Sequence, residues 1–353
     1  IKSKKNNSNN IIINTSINTG INTSVDNSVD NDNDNKKILL KWIKFGFPYV
    51  KYYINPIAIF NKFKTMLTTK SYYKFIKYIP YNLSEKFNIP HIDIKFKGKY
   101  IYVQINLEYF HSMDIITDYY TENSRIMVKL KPNAYSLYDH YTKGDLIMRA
   151  ILQLQKEKKD INIENLREIL YSFPDVYNAS AESTIFYICL ITTLFNTNSL
   201  SDIIIIDGAG GYGTRLLTAI LLGCKYYGVE PNTLSTYGFN QMIYDFGDKN
   251  KHIMFEEGLP YSKGINKLPT NYANLILFSP PLFDGEIYST DANQSTNLFS
   301  DYHTWKHKFL YKSLDILINK LKLNGYIVFQ SIRYDNIHNY IKYYLFPIRV
   351  CKY

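Results

Sequence analysis

Ile203-Ile204-Ile205-Ile206-Asp207-Gly208-Ala209-Gly210-Gly211-Tyr212-Gly213-Thr214-Arg215-Leu216-Leu217 decides the fold. Four consecutive isoleucines suit a strand buried on both faces, as in a parallel sheet. A glycine-rich turn follows and runs into a helical pattern. Glycines there let a ligand approach the backbone, and the helix start offers N–H groups with no intrahelical partner. The turn alone fits a dinucleotide, a phosphate, an adenosyl group or a tight connection. Outward from it, strands are expected at 203–207, 225–229, 252–255, 273–278 and 326–332, with helices at 213–222, 233–246 and 303–322. Such alternation predicts an α/β fold with a doubly wound, Rossmann-like parallel sheet.

Two further stretches give the turn a chemistry. Tyr226-Tyr227-Gly228-Val229-Glu230-Pro231-Asn232 places an acid at the end of the second strand, about 20 residues past the glycines, where a ribose diol is held. Leu275-Ile276-Leu277-Phe278-Ser279-Pro280-Pro281-Leu282-Phe283 ends the fourth strand and should face the same crevice, because open α/β sheets bind ligands at the carboxyl ends of their strands. Paired prolines fix an extended backbone without donors of its own. A carbonyl and a hydroxyl there are free to accept from an exocyclic –NH2. Hydride transfer has no use for that arrangement, whereas methyl transfer to an aromatic amine does.

These motifs resemble those of the S-adenosylmethionine-dependent amino-methyltransferases that act on adenine N6 or cytosine N4. Asp207-Gly-Ala-Gly-Gly211-Tyr-Gly213-Thr is similar to the family's D-P-P/F-x-G-x-G-T loop, and Ser279-Pro-Pro-Leu to its S/D/N-P-P-Y/F motif. The wider stretches look most like DNA-methylase-like proteins of bacteriophages and large DNA viruses. The resemblance covers roughly residues 173–335. It implies S-adenosyl-L-methionine as cofactor and a class I methyltransferase sheet. It also implies that Asp207, Gly208, Gly211 and Gly213 line the methionine part, that Glu230 holds the ribose, and that Glu256 or Glu257 lies near the cofactor adenine. Phe173, with Pro174, matches a further cofactor motif. Ser279, Pro280 and Pro281 would position the amine. Gly208-Ala209 replace the family's Pro-Phe, and Leu282 stands where an aromatic usually stacks on the base, so Phe283 is expected to substitute.

The rest of the chain bounds this reading. It has 353 residues, 46% hydrophobic, enough for one large domain or two ordinary ones. Residues 1–35 are Asn-rich and lack a sustained period, so they read as a disordered tail. Residues 36–160 read as an α+β region, with helical pieces broken at Pro48 and Pro56, a hairpin over 92–110 turning near Gly98, and a helix over 144–158. Beyond it come helices over 163–171, capped by Asn162, and 180–196, capped by Ser180. Residues 165–353 read as the methyltransferase domain, cut short at its C-terminus, and the initial Ile suggests a fragment or processed product.

Net charge is +10, and residues 36–84, with ten Lys and no acid, account for the whole excess. Lys interleaved with aromatics suits nucleic acid, DNA ahead of RNA, although a charge run also suits a solvated helical face. Three dispersed Cys argue against a disulfide framework and for a reducing, intracellular, cytoplasmic setting, that of the host for a viral protein. No run suits a membrane span. His303 and His307 lack the neighbours of a zinc motif, so no metal is expected. Asp284 and Glu286 either orient the amine or cap a turn. Arg215 meets an anion or lies on a helix surface, and Tyr288 and Trp305 are expected to pack. Alternatives are an RNA or protein-amide methyltransferase of the same fold, and a degenerate relative that only binds nucleic acid.

Overall fold

The computed structural model of the chain describes residues 31–79, 92–96, 99–105, 111–195, 197, 199–283, 285–329 and 350–351. The expected tail up to residue 30, the turn at Gly98 and Asp284 lie outside the described residues. The tail was drawn to residue 35, but Asn31–Phe45 is helix α1, so 31–35 belong to it. A 3-10 turn (Val50–Tyr52), α2 (Pro56–Thr68), a second 3-10 turn (Ser71–Phe75) and strand β1 (Ile76–Ile79) follow. Pro56 sits at the first position of α2, where it costs no hydrogen bond, behind the Asn55 cap. β2 (Ile92–Phe96) and β3 (Lys99–Ile105) pair antiparallel with Phe96 opposite Lys99, the expected hairpin. Next come α3 (His111–Arg125), α4 (Leu137–Thr142), α5 (Asp145–Lys156), α6 (Ile163–Ser172) and α7 (Thr184–Phe195). Asn162 caps α6 as expected, accepting from Asn165 N–H at 2.8 Å. Ser180 does not cap α7: the helix starts four residues later, and Asp114 of α3 accepts from the Thr184 N–H at 2.8 Å. The local cap is Ser183, three residues past the expected Ser180, whose Oγ accepts from the Phe186 N–H at 3.4 Å.

From β4 (Ile204–Asp207) the chain alternates through α8 (Thr214–Leu222), β5 (Lys225–Val229), α9 (Thr233–Phe246), β6 (His252–Phe255), α10 (Lys263–Lys267) and β7 (Ala273–Phe278). The expected helix over 303–322 is broken into pieces: after the short α11 (Ser295–Leu298) come α12 (Tyr302–Trp305), a π-helical stretch (Lys306–Tyr311) and α13 (Lys312–Lys320). β8 (Leu321–Phe329) begins five residues before the expected Tyr326. Residues 322–325, with Asn324 at φ +64°, form an irregularity within the strand, where the register steps from Leu321 opposite Ala273 to Tyr326 opposite Leu275. β9 (Val350–Cys351) pairs parallel with β8 at the edge.

The sheet runs β6-β5-β4-β7-β8-β9, all parallel. Strand order reverses direction at β4, between β5 and β7, which is the switch point where such sheets open a crevice. Alternation along the strands fills two cores. Ile205, Leu275, Leu277 and Val328 face one side, and Ile204, Ile206, Ile276, Phe278 and Ile327 face the other.

The first core runs into the N-terminal region, where Phe60, Phe63, Tyr72, Phe75, Ile116 and Tyr120 join Ile205 and Phe239. Phe60 stacks on Phe246 with centroids 4.2 Å apart. Gly238 of α9 lets α3 approach so closely that a Cβ there would lie 2.2 Å from the Tyr120 carbonyl oxygen. The expected line at 160–165 therefore does not part this core. Many aromatics of the basic segment are core residues, whereas Phe45, Tyr52 and Tyr73 are exposed. Its nine lysines from Lys36 to Lys74 are all exposed. Among the described residues only Lys37 of these has a carboxylate partner, Asp34 at 3.3 Å. No helix of the described residues is long and apolar enough to cross a membrane.

Candidate active site

Register places the chemistry. Asp207 pairs with Gly228 and Leu277, Val229 with Phe255, and Phe278 with Phe329. The residues that follow these rungs, Gly208, Glu230, Glu256 and Ser279, therefore all leave the carboxyl edge of the sheet. The glycine loop is stitched to its neighbours by Gly208 N–H to the Leu277 carbonyl at 2.9 Å and Gly210 N–H to the Val229 carbonyl at 2.7 Å. A single cavity of about 310 Å3 opens there. Gly208, Gly211, Glu230, Ser279, Pro280 and Pro281 all line it. The glycine turn and the double-proline corner thus share one cleft.

Glu230 is buried, and its two carboxylate oxygens accept from Gly211 N–H and Asn232 N–H, each at 3.0 Å. Burial pushes its carboxyl up to about 7, against the pull of those two N–H donors.

Asp207, expected in the cofactor site, is buried behind the loop and does not line the cavity. It accepts from Arg215 Nε at 2.7 Å, Tyr226 OH at 2.6 Å and Ala209 N–H at 3.1 Å. Arg215 also donates to Glu182 at 2.5 Å and to the Ala209 carbonyl, so it is a buried clamp on the loop rather than a surface charge. Gly213 does not line the cavity either. It turns into α8 at φ +85°, and a Cβ there would lie 2.9 Å from Phe239.

The remaining expected residues are placed as follows. Glu257 accepts from Ser262 Oγ at 2.6 Å and Gly264 N–H at 2.9 Å, so it holds the start of α10. Glu256 accepts from Thr233 and Thr236 hydroxyls on α9, and Gly258 and Leu259 line the cavity instead. Phe173, with Pro174, lies in a separate groove beneath the Arg149 guanidinium, 4.3 Å from its ring centroid. Phe283 turns away from the cavity and packs against Tyr302 and Trp305, both at 5.7 Å, leaving Leu282 at the lining. Trp305 packs as expected, fully buried, but Tyr288 lines the cavity and donates to Glu286.

The sequence did not single out Glu182, Tyr212 or Gln294, which also line the cavity. Tyr212 OH and Gln294 Nε2 are buried with no hydrogen-bond partner among the described residues. Tyr212 lies within the glycine loop, whereas Gln294 lies in a polar stretch with no pattern to mark it.

No protein-family model and no curated relative matches the chain. Similar solved structures include a precorrin-6y C5,15-methyltransferase from Geobacter metallireducens, 14% identical over 47% of this chain and 74% of that one, with a TM-score of 0.32. A SAM-dependent methyltransferase from Geobacter sulfurreducens, in complex with S-adenosyl-L-homocysteine, is 11% identical over 40% of this chain and 45% of that one, with a TM-score of 0.26. Acetophenone reductase from Geotrichum candidum, in complex with NAD, is 12% identical over 50% and 41%, with a TM-score of 0.25. Similarity at this level decides neither ligand nor reaction. The doubly wound fold rests on the strand order and register above.

Proposed function

We propose that the protein transfers methyl from S-adenosyl-L-methionine to an exocyclic amino group of a nucleic-acid base, adenine N6 or cytosine N4, DNA ahead of RNA. The observation that carries this reading is the shared lining of one cavity by the glycine loop, Glu230 and Ser279-Pro280-Pro281. The lining fits an adenosyl cofactor. At Gly208 and Gly210 a Cβ would strike Phe278 and Met254 at 2.5 and 2.8 Å, so the turn stays bare backbone. The buried carboxylate of Glu230 suits a ribose diol, and the unpartnered Tyr212 hydroxyl and Gln294 amide suit a ligand with polar edges.

S-adenosyl-L-methionine, when bound, supplies an electrophilic methyl group on a sulfonium. Gly208 to Gly211 would hold its methionine part and Glu230 its ribose. Ser279 Oγ and the Pro280 carbonyl would accept the two amine hydrogens, which favours a pyramidal, nucleophilic nitrogen. A duplexed base must be flipped out at a cost of a few kcal/mol, whereas a single strand avoids that. The exposed lysines from Lys36 to Lys74, of which only Lys37 has a carboxylate partner among the described residues, supply the counter-charge for phosphates.

Incubation with labelled S-adenosyl-L-methionine and mixed DNA and RNA, followed by nucleoside mass spectrometry, tests the reading. It expects an N6- or N4-methylated nucleoside that Ser279→Ala abolishes. Cofactor binding without any methylated nucleoside would favour a second reading, a binding protein without catalysis, for which the absence of Phe283 from the cavity speaks.

A further inference from the structure

Ser279 is neutral, so it accepts a hydrogen bond from an amine but does not keep its proton. The reaction releases one. The nitrogen lone pair forms the N–C bond, the C–S bond breaks with its electrons left on a neutral thioether sulfur, and the nitrogen becomes cationic with one proton too many. Among the described residues lining the cavity the carboxylates are Glu182, Glu230 and Glu286. Glu182 is bound to Arg215 at 2.5 Å and to Tyr187 OH at 2.8 Å. Glu230 sits on the glycine-loop side, gripped by the N–H groups of Gly211 and Asn232.

Glu286 belongs to the double-proline side. The chain folds back tightly after Pro281: a Cβ on Gly285 would lie 2.9 Å from the Leu282 Cβ. The next residues are then pinned by a two-bond antiparallel bridge, Ile287 N–H to the Lys129 carbonyl at 2.7 Å and Lys129 N–H to the Ile287 carbonyl at 3.1 Å. Residues on either side of Ile287 in an extended segment share a face. Glu286 and Tyr288 accordingly both line the cavity, with the Tyr288 hydroxyl donating to the Glu286 carboxylate.

We propose that Glu286 is the proton acceptor of the methyl transfer, taking the proton that the methylated nitrogen must lose, with Tyr288 holding its carboxylate toward the cavity. This rests on the function proposed above. In it the family-like corner supplies orientation through Ser279, and a carboxylate seven residues later supplies the base.

The test uses the full chain with labelled S-adenosyl-L-methionine and a nucleic acid that the wild type methylates. Glu286→Gln should lower kcat by about 10²–10³-fold, within the usual range for a lost general base, while KM for the nucleic acid and cofactor affinity by calorimetry stay within about threefold. Glu286→Gly should regain turnover when formate or acetate is added, and Tyr288→Phe should lower kcat by about tenfold. A merely structural role would not give rescue by a small carboxylate. Retained kcat in Glu286→Gln overturns the proposal, as does loss that formate fails to restore in a Glu286→Gly protein with normal cofactor affinity. A wild type that binds cofactor but methylates no nucleic acid instead removes the underlying reading, and the proposal with it.

Discussion

Cofactor affinity should depend on pH through Glu230. Burial raises its carboxyl to about 7, so near neutral pH about half of the free protein carries it protonated. A ribose diol donates hydrogen bonds, and only the ionised carboxylate accepts on both oxygens. Binding must therefore deprotonate Glu230. The apparent dissociation constant scales as one plus ten to the power of (about 7 − pH), about 11 at pH 6, 2 at pH 7 and 1.1 at pH 8. Affinity for S-adenosyl-L-homocysteine should thus rise about tenfold from pH 6 to pH 8, roughly 1.4 kcal/mol. Stability of the free protein should run the other way. A group whose folded pKa lies above its unfolded value contributes stability below about pH 4.5, and that contribution is lost as pH rises through about 7. Isothermal titration calorimetry at pH 6, 7 and 8 and constant ionic strength measures the first effect, with Glu230→Gln as the control that should bind weakly and without slope. A flat wild-type affinity, or an equal slope in Glu230→Gln, would refute the assignment.

Asp207→Asn should cost about 3 kcal/mol in denaturant unfolding, because it weakens the partnership of the buried Arg215. If Asp207 instead touched the cofactor, affinity would fall with stability unchanged. Replacing Lys41, Lys44 and Lys51 together by Ala should leave thermal stability nearly unchanged, since all three are exposed. It should flatten the slope of log affinity for single-stranded nucleic acid against log salt by about 2, as read by fluorescence anisotropy, and an unchanged slope would place the binding surface elsewhere.

The sheet was legible because its signals are local. The isoleucine run, the glycine turn and the alternation of apolar strands with helices gave β4, β5, β6 and β7 within a residue. Glu230 and Ser279-Pro280-Pro281 were legible for the same reason, since each directly follows a strand and the fold aims strand ends at one crevice. Asp207, Glu257, Phe173 and Phe283 do not line the cavity, and their side chains are held by partners the motif does not contain. Arg215 and Tyr226 take Asp207, Ser262 takes Glu257, Arg149 covers Phe173, and Trp305 with Tyr302 takes Phe283. The packing of α3 on α9 was equally hidden: the apolar residues of each helix, Ile116 and Tyr120 on one and Phe239 and Ile243 on the other, do not name their partner, and the close approach depends on Gly238. Tyr288, expected to pack, lines the cleft next to the Lys129–Ile287 bridge, and Asn232 Nδ2 donates to its carbonyl at 3.4 Å, contacts that carry no local sequence signal.

The most direct measurement is a crystal structure of the protein with S-adenosyl-L-homocysteine. The account predicts the ligand in the cleft, its ribose hydroxyls on the Glu230 carboxylate, its amino-acid end on the Gly208–Gly211 turn and its sulfur facing Ser279. Density for the ligand elsewhere, or with the sulfur turned from the double-proline corner, would contradict it.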